Sequence, residues 1–116
     1  MFKLNPAPEF IAPVLLSVPG LPEPLQISVT WRYKNATALL AWRKSAAGKT
    51  DVAFLHDVIL GWTGVQGADG ADEPYSLTAL GTLHENYPNA LQELYNAYLA
   101  ELQEAKTKNS LRLSAA

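Results

Sequence analysis

No cysteine occurs among the 116 residues, which removes disulfides, thiol nucleophiles and thiolate metal ligands together and suits a reducing compartment. Charge is also scarce. Charged residues make up 17% of the chain, and 9 Lys and Arg against 11 Asp and Glu leave a net charge of -2. No basic field is therefore available to attract phosphates or anionic lipid, and neither nucleic acid nor a membrane is expected as a partner. No apolar run approaches the roughly 20 residues of a membrane span. The opening Met1-Phe2-Lys3-Leu4-Asn5-Pro6 reaches a proline before any apolar run of useful length, unlike a secretory signal. A cytoplasmic location is the expectation.

Motifs that carry chemistry are equally sparse. Gly48-Lys49-Thr50 resembles the end of a phosphate-binding loop, but the position five residues before Gly48 is Arg43, and a helical pattern stands where that loop needs a strand. A glycine closing one helix and a threonine capping the next account for all three residues. His56 and His84 are the two histidines, and neither stands in a metal-ligand spacing. Asp69-Gly70-Ala71-Asp72-Glu73 lacks the ligand order and distant glutamate of a calcium loop, and no serine has the flanks of a nucleophile elbow. No catalytic residue, cofactor or metal is expected, and the chain does not read as an enzyme.

What is present is core-forming material. Apolar residues make up 48%, enough for one α+β domain over residues 1–106, with 107–116 expected as a flexible tail. Over residues 25–33, Leu25, Ile27, Val29, Trp31 and Tyr33 alternate with Gln26, Ser28, Thr30 and Arg32, the period of a strand with one buried face. Residues 10–18 are also apolar and β-branched, and Pro19-Gly20-Leu21-Pro22-Glu23-Pro24 between them is turn material, so the two segments read as an antiparallel hairpin. Pro13, lacking an amide hydrogen, puts the first strand at an edge or at a bulge.

Helix signals follow. Asn35 caps residues 36–47, and Thr50 caps a second helix in which Val52, Leu55, Val58, Ile59 and Trp62 recur at helical spacing, with Gly61 weakening its last turn. Three glycines and three acids make residues 64–74 a solvated loop contributing little core. Ser76 caps a short helix bearing Leu77, Leu80 and Leu83, which ends before Tyr87-Pro88. From Pro88 to about residue 106, Leu91, Leu94, Tyr95, Tyr98, Leu99, Leu102 and Ala105 carry the clearest amphipathic stripe. The fold class is α+β: an N-terminal antiparallel β-hairpin followed by about four helices packed as a small bundle. A two-stranded hairpin is marginal alone, so helices must support it, and its free edge can take a partner strand or a second copy of the chain. Aromatic side chains anchor interfaces as well as cores. Trp62, Tyr75, Tyr87, Tyr95 and Tyr98 are the candidate interaction residues.

The order of these features resembles a known family. Phe2-Lys3-Leu4-Asn5-Pro6-Ala7-Pro8, the hairpin ending in Val29-Thr30-Trp31-Arg32-Tyr33, the Ile59-Leu60-Gly61-Trp62 step, and Asn86-Tyr87-Pro88 leading into Leu94-Tyr95-Asn96-Ala97-Tyr98 are together similar to the tail assembly chaperones of long-tailed bacteriophages. The likeness spans about residues 2–102. It implies a protein of the host bacterial cytoplasm that transiently binds the tape measure protein, helps recruit tail tube subunits, and is absent from the mature virion. A ribosomal frameshift yields a longer form in many such phages. The alternative is a structural virion component, such as a minor tail or connector subunit.

Overall fold

Alternation in the first half of the chain produces the expected hairpin. The computed structural model describes residues 1–104, so the tail expected over 107–116 lies outside the described residues. Strand β1 (Glu9–Leu16) pairs antiparallel with β2 (Leu25–Arg32), from Glu9 opposite Arg32 to Leu16 opposite Leu25. Ala12, Val14 and Leu16 of β1 join Ile27, Val29 and Trp31 of β2 on the buried face. Gly20 takes φ +89, as a type II turn requires after proline, and the Leu21 N–H donates to the Val18 carbonyl at 3.1 Å.

The hydrogen-bond phase explains how a proline sits inside a strand. The Tyr33 N–H donates to the Pro8 carbonyl at 2.9 Å, so in this register the even-numbered residues of β1 bond to β2. Odd-numbered residues turn their backbone groups to the free edge. Pro13 is one of these, and its missing N–H costs the ladder nothing while interrupting the outer edge against unwanted pairing.

The second half of the expected second helix is instead a strand. Helix α2 (Asp51–His56) stops early, and β3 (Ile59–Thr63) pairs antiparallel with β2, giving the order β1-β2-β3. Helical periodicity misled here for a specific reason. Trp31 faces Ile59 and Thr30 faces Gly61, which leaves Leu60 as an extra residue in a bulge. The bulge lets Ile59 and Trp62, three positions apart, both face the core, and an interval of three is otherwise the mark of a helix.

The four helices lie on one side of this sheet, the last of them packing against β1 and α2 against β3. Helix α1 (Ala36–Lys44) begins at Asn35, whose side chain accepts the Ala38 N–H at 2.9 Å. It ends earlier than expected and tightens into a 3₁₀ turn, Ser45–Gly48. Thr50 accepts from Ala53 at 3.2 Å to start α2, and Ser76 accepts from Ala79 at 3.0 Å to start α3 (Leu77–Asn86). Helix α4 (Ala90–Leu99) begins two residues after Pro88, which lies in the preceding turn, and passes into a π-helical turn, Ala100–Glu104. Asn89 stands at its N-cap position with helical backbone angles and no side-chain bond. Thr50→Ala and Ser76→Ala should therefore each cost about 1 kcal/mol, while Asn89→Ala should leave the urea midpoint unchanged.

The core lies between the layers. Leu39 and Trp42 of α1, Phe54 and Leu55 of α2, Leu80 of α3, and Ala90, Leu91, Leu94 and Tyr98 of α4 meet the inward face of the sheet in one continuous cluster. Among the described residues nothing covers the opposite face of the sheet, where Ile11 is 73% and Leu15 55% exposed.

Candidate functional site: a cleft between the 64–73 loop and helix α3

Beyond β3 the chain forms a small ordered hairpin that its composition concealed. Gly64 takes φ +90, so a side chain there would bring backbone strain, although a Cβ would meet the Ile27 Cα at an ordinary contact distance of 3.5 Å. Gln66 bridges Asp72, the Gly67 N–H donates to the Ala71 carbonyl at 2.9 Å, and the Glu73 N–H donates to the Val65 carbonyl at 2.8 Å. Val65 packs against the core. The base of the hairpin is pinned from the sheet, because the Trp62 Nε1–H donates to the Glu73 carbonyl at 2.8 Å. Tyr75 stands edge-on to Trp62 with ring centres 4.9 Å apart, and its hydroxyl lies 2.8 Å from His56 Nδ1.

Between this hairpin and α3 lies a cleft of about 500 Å³. Trp62, Val65, Ala79, Leu83 and Tyr87 supply its apolar walls, and Gln66, Glu73, Thr82 and Asn86 its polar ones. Tyr87 reaches this position because Pro88 stops α3: the Tyr87 N–H still donates to the Leu83 carbonyl at 2.9 Å, but its own backbone is extended.

The five candidate aromatics thus divide into two groups. Trp62 and Tyr87 line the cleft, and Tyr75 braces Trp62 from behind. Tyr95 and Tyr98 belong to a separate aromatic cluster with Trp42. Tyr95 borders a second cavity of about 300 Å³ beside Arg43 and His84. Tyr98 is fully buried, its ring centre 4.8 Å from that of Trp31, and its hydroxyl donates to the Arg32 carbonyl at 2.6 Å.

Nothing in the sequence singles out Val65 or Ala79, Leu83 is legible only within the apolar stripe of a short helix, and the acids of residues 64–74 read only as part of a solvated loop. Residues 50–105 contain no Lys or Arg, yet they hold nine of the chain's acids: Asp51, Asp57, Asp69, Asp72, Glu73, Glu85, Glu93, Glu101 and Glu104. Overall balance hid this segregation, because the cations lie before and after the stretch. The cleft is built wholly from residues 62–87, inside it.

Burial pushes the Tyr75 hydroxyl from 10.0 up to about 12. Tyr98 is also raised, chiefly by burial, with Asp57 adding to the rise and Arg32 opposing it. Unfolded tyrosines release their proton near pH 10 while these two hold it in the fold. Stability should be fully present below pH 10 and fall as the pH climbs toward about 12. Urea midpoints at rising pH should show the loss, and Tyr75→Phe should reduce it.

Among the described residues no group of three or more His, Cys, Asp or Glu is placed to hold a metal ion, and no helix is long and apolar enough to cross a membrane. No curated protein and no solved structure matches the chain. A family model described as Phage tail assembly chaperone matches residues 1–109. That span takes in the three-stranded sheet, the cleft and α4 alike, and the chain belongs to the phage tail assembly chaperone family.

Proposed function

We propose that this chaperone binds the tape measure protein transiently in the host bacterial cytoplasm, keeps it soluble, helps recruit tail tube subunits, and departs before the tail is complete. The observation that carries the reading is the family match over residues 1–109. The surface supports it. A long helical client exposes apolar stripes that need temporary cover, and this chain presents an apolar cleft beside α3 together with a sheet whose outer face carries exposed Ile11 and Leu15. A protein that must later release its client is suited by a contact of modest size. The role calls for no bond making or breaking, and no residue is assigned to catalysis.

Co-expression with the tape measure protein from the same phage tests this reading. The tape measure protein should move from the insoluble to the soluble fraction and co-purify with the chain. Unchanged solubility with no co-purification would overturn the proposal.

A further inference from the structure

We infer that the cleft between the 64–73 hairpin and α3 receives an amphipathic helical segment of a client whose apolar stripe is flanked by Lys or Arg. The inference rests on the chaperone reading and assigns a site and a client chemistry within it. Three observations converge. The walls formed by Trp62, Val65, Leu83 and Tyr87 are apolar, so the occupant must bring apolar side chains. Along α3 the cleft is bordered by Thr78, Ala79, Thr82, Leu83 and Asn86, which recur along one side of the helix over about 12 Å. Short side chains dominate that border, so a second helix can lie close along α3. The charge of the surroundings then selects the polar flanks of the occupant.

Glu73 lines the cleft, and Asp69 and Asp72 belong to the same hairpin. The salt bridge among the described residues is Lys34–Asp57, in another part of the molecule. Among the described residues the acids of the hairpin thus have no salt-bridge partner, and residues 50–105 contain no Lys or Arg in sequence. A helix carrying Glu or Asp beside its apolar stripe meets like charge here, whereas one carrying Lys or Arg meets complementary charge. Complementarity of this kind chooses among clients that share the same hydrophobic pattern.

The test titrates the full chain with two synthetic helical peptides of about 18 residues, or five turns, sharing one leucine stripe. One peptide carries Lys along its flanks and the other Glu. At low salt the Lys peptide should bind about tenfold or more tightly than its twin, and the gap should narrow as salt screens the hairpin. Thr82 is exposed, and its hydroxyl donates only to the Thr78 carbonyl of its own helix, at 3.1 Å. Thr82→Arg should therefore fold normally by circular dichroism and weaken the Lys peptide about tenfold, by placing a bulky cation in the path of the client. Asp72→Asn combined with Glu73→Gln should reduce the preference for Lys over Glu.

Equal binding of the two peptides, or binding indifferent to Thr82→Arg, would overturn the assignment. So would a Thr82→Arg chain that sediments as a smaller species while still binding peptide, since the cleft would then join copies of this chain. The two proposals fail separately. If the wild-type chain and Thr82→Arg capture the tape measure protein equally, the cleft assignment falls and the chaperone reading stands. If the wild type captures none, the chaperone reading falls.

Discussion

Replacing Tyr98 with alanine should lower stability by about 3 to 5 kcal/mol, the range for removing a large buried aromatic, which is a large part of a small domain's total. Tyr98 joins the two layers at their most aromatic point. Its ring contacts Trp31 from the sheet and stands edge-on to Trp42 of α1, with centres 5.4 Å apart, and lies parallel to Phe10 at 6.3 Å. Its hydroxyl reaches the Arg32 carbonyl at the end of β2, where the chain leaves the sheet for α1. Tyr98→Phe keeps the ring and removes that bond, and should cost about 1 to 3 kcal/mol because a half-shielded carbonyl loses its donor. Urea unfolding of the two variants separates packing from hydrogen bonding. Equal losses would show that the bond, and not the ring, carries the effect.

Trp62→Ala should be nearly as damaging, again about 3 to 5 kcal/mol, with a local signature that Tyr98→Ala lacks. Trp62 is 8% exposed, fills the junction between β3 and α3, and holds the hairpin by its bond to the Glu73 carbonyl. Its loss also deprives Tyr75 of the ring it stands against. Amide exchange at Glu73, whose N–H closes the hairpin onto Val65, should accelerate more than exchange at buried positions of α4. Trp62→Phe retains most of the apolar contact and removes the bond to the part-buried Glu73 carbonyl, and should cost about 1 to 3 kcal/mol because that carbonyl loses its donor. Uniform acceleration across the chain in Trp62→Ala would mean that the hairpin has no separate anchorage.

These two residues show which parts of the fold were legible in sequence. The hairpin was readable because Ile27, Val29 and Trp31 alternate without interruption, and the caps were readable because Asn35, Thr50 and Ser76 each bond an amide three residues on. Tyr98 stood out within the stripe of α4, but sequence could not say that it would turn wholly inward while Tyr95 reached the rim of a cavity. The third strand was hidden by its bulge, since spacing alone cannot distinguish one turn of helix from a strand with one extra residue. The cleft was hidden differently. Its walls come from β3, the hairpin and α3, whose meeting is a tertiary fact, and the glycines and acids of residues 64–73 resemble those of an unstructured loop. The one available signal was the run of 56 positions, residues 50–105, without a basic residue, which whole-chain charge averages away.

The fold also suits the temporary binding proposed for this chain. Pro13 breaks the outer edge of β1, and β3 is five residues long and bulged, so neither edge offers a long, flat template for another strand. Side-chain contact in a cleft with an acidic border remains the more specific route to a client. Such contact weakens as salt rises and can be displaced by a better-matched partner.

An assembly chaperone of the proposed kind is needed during tail assembly and missing from its product. Quantitative mass spectrometry of one infected culture, comparing the lysate complex captured on the tagged chain with particles purified from the same cells, tests that most directly. The chain should accompany the tape measure protein in the lysate and be absent from the particles. A fixed copy number per mature particle would contradict the account and make the chain a structural subunit of the virion.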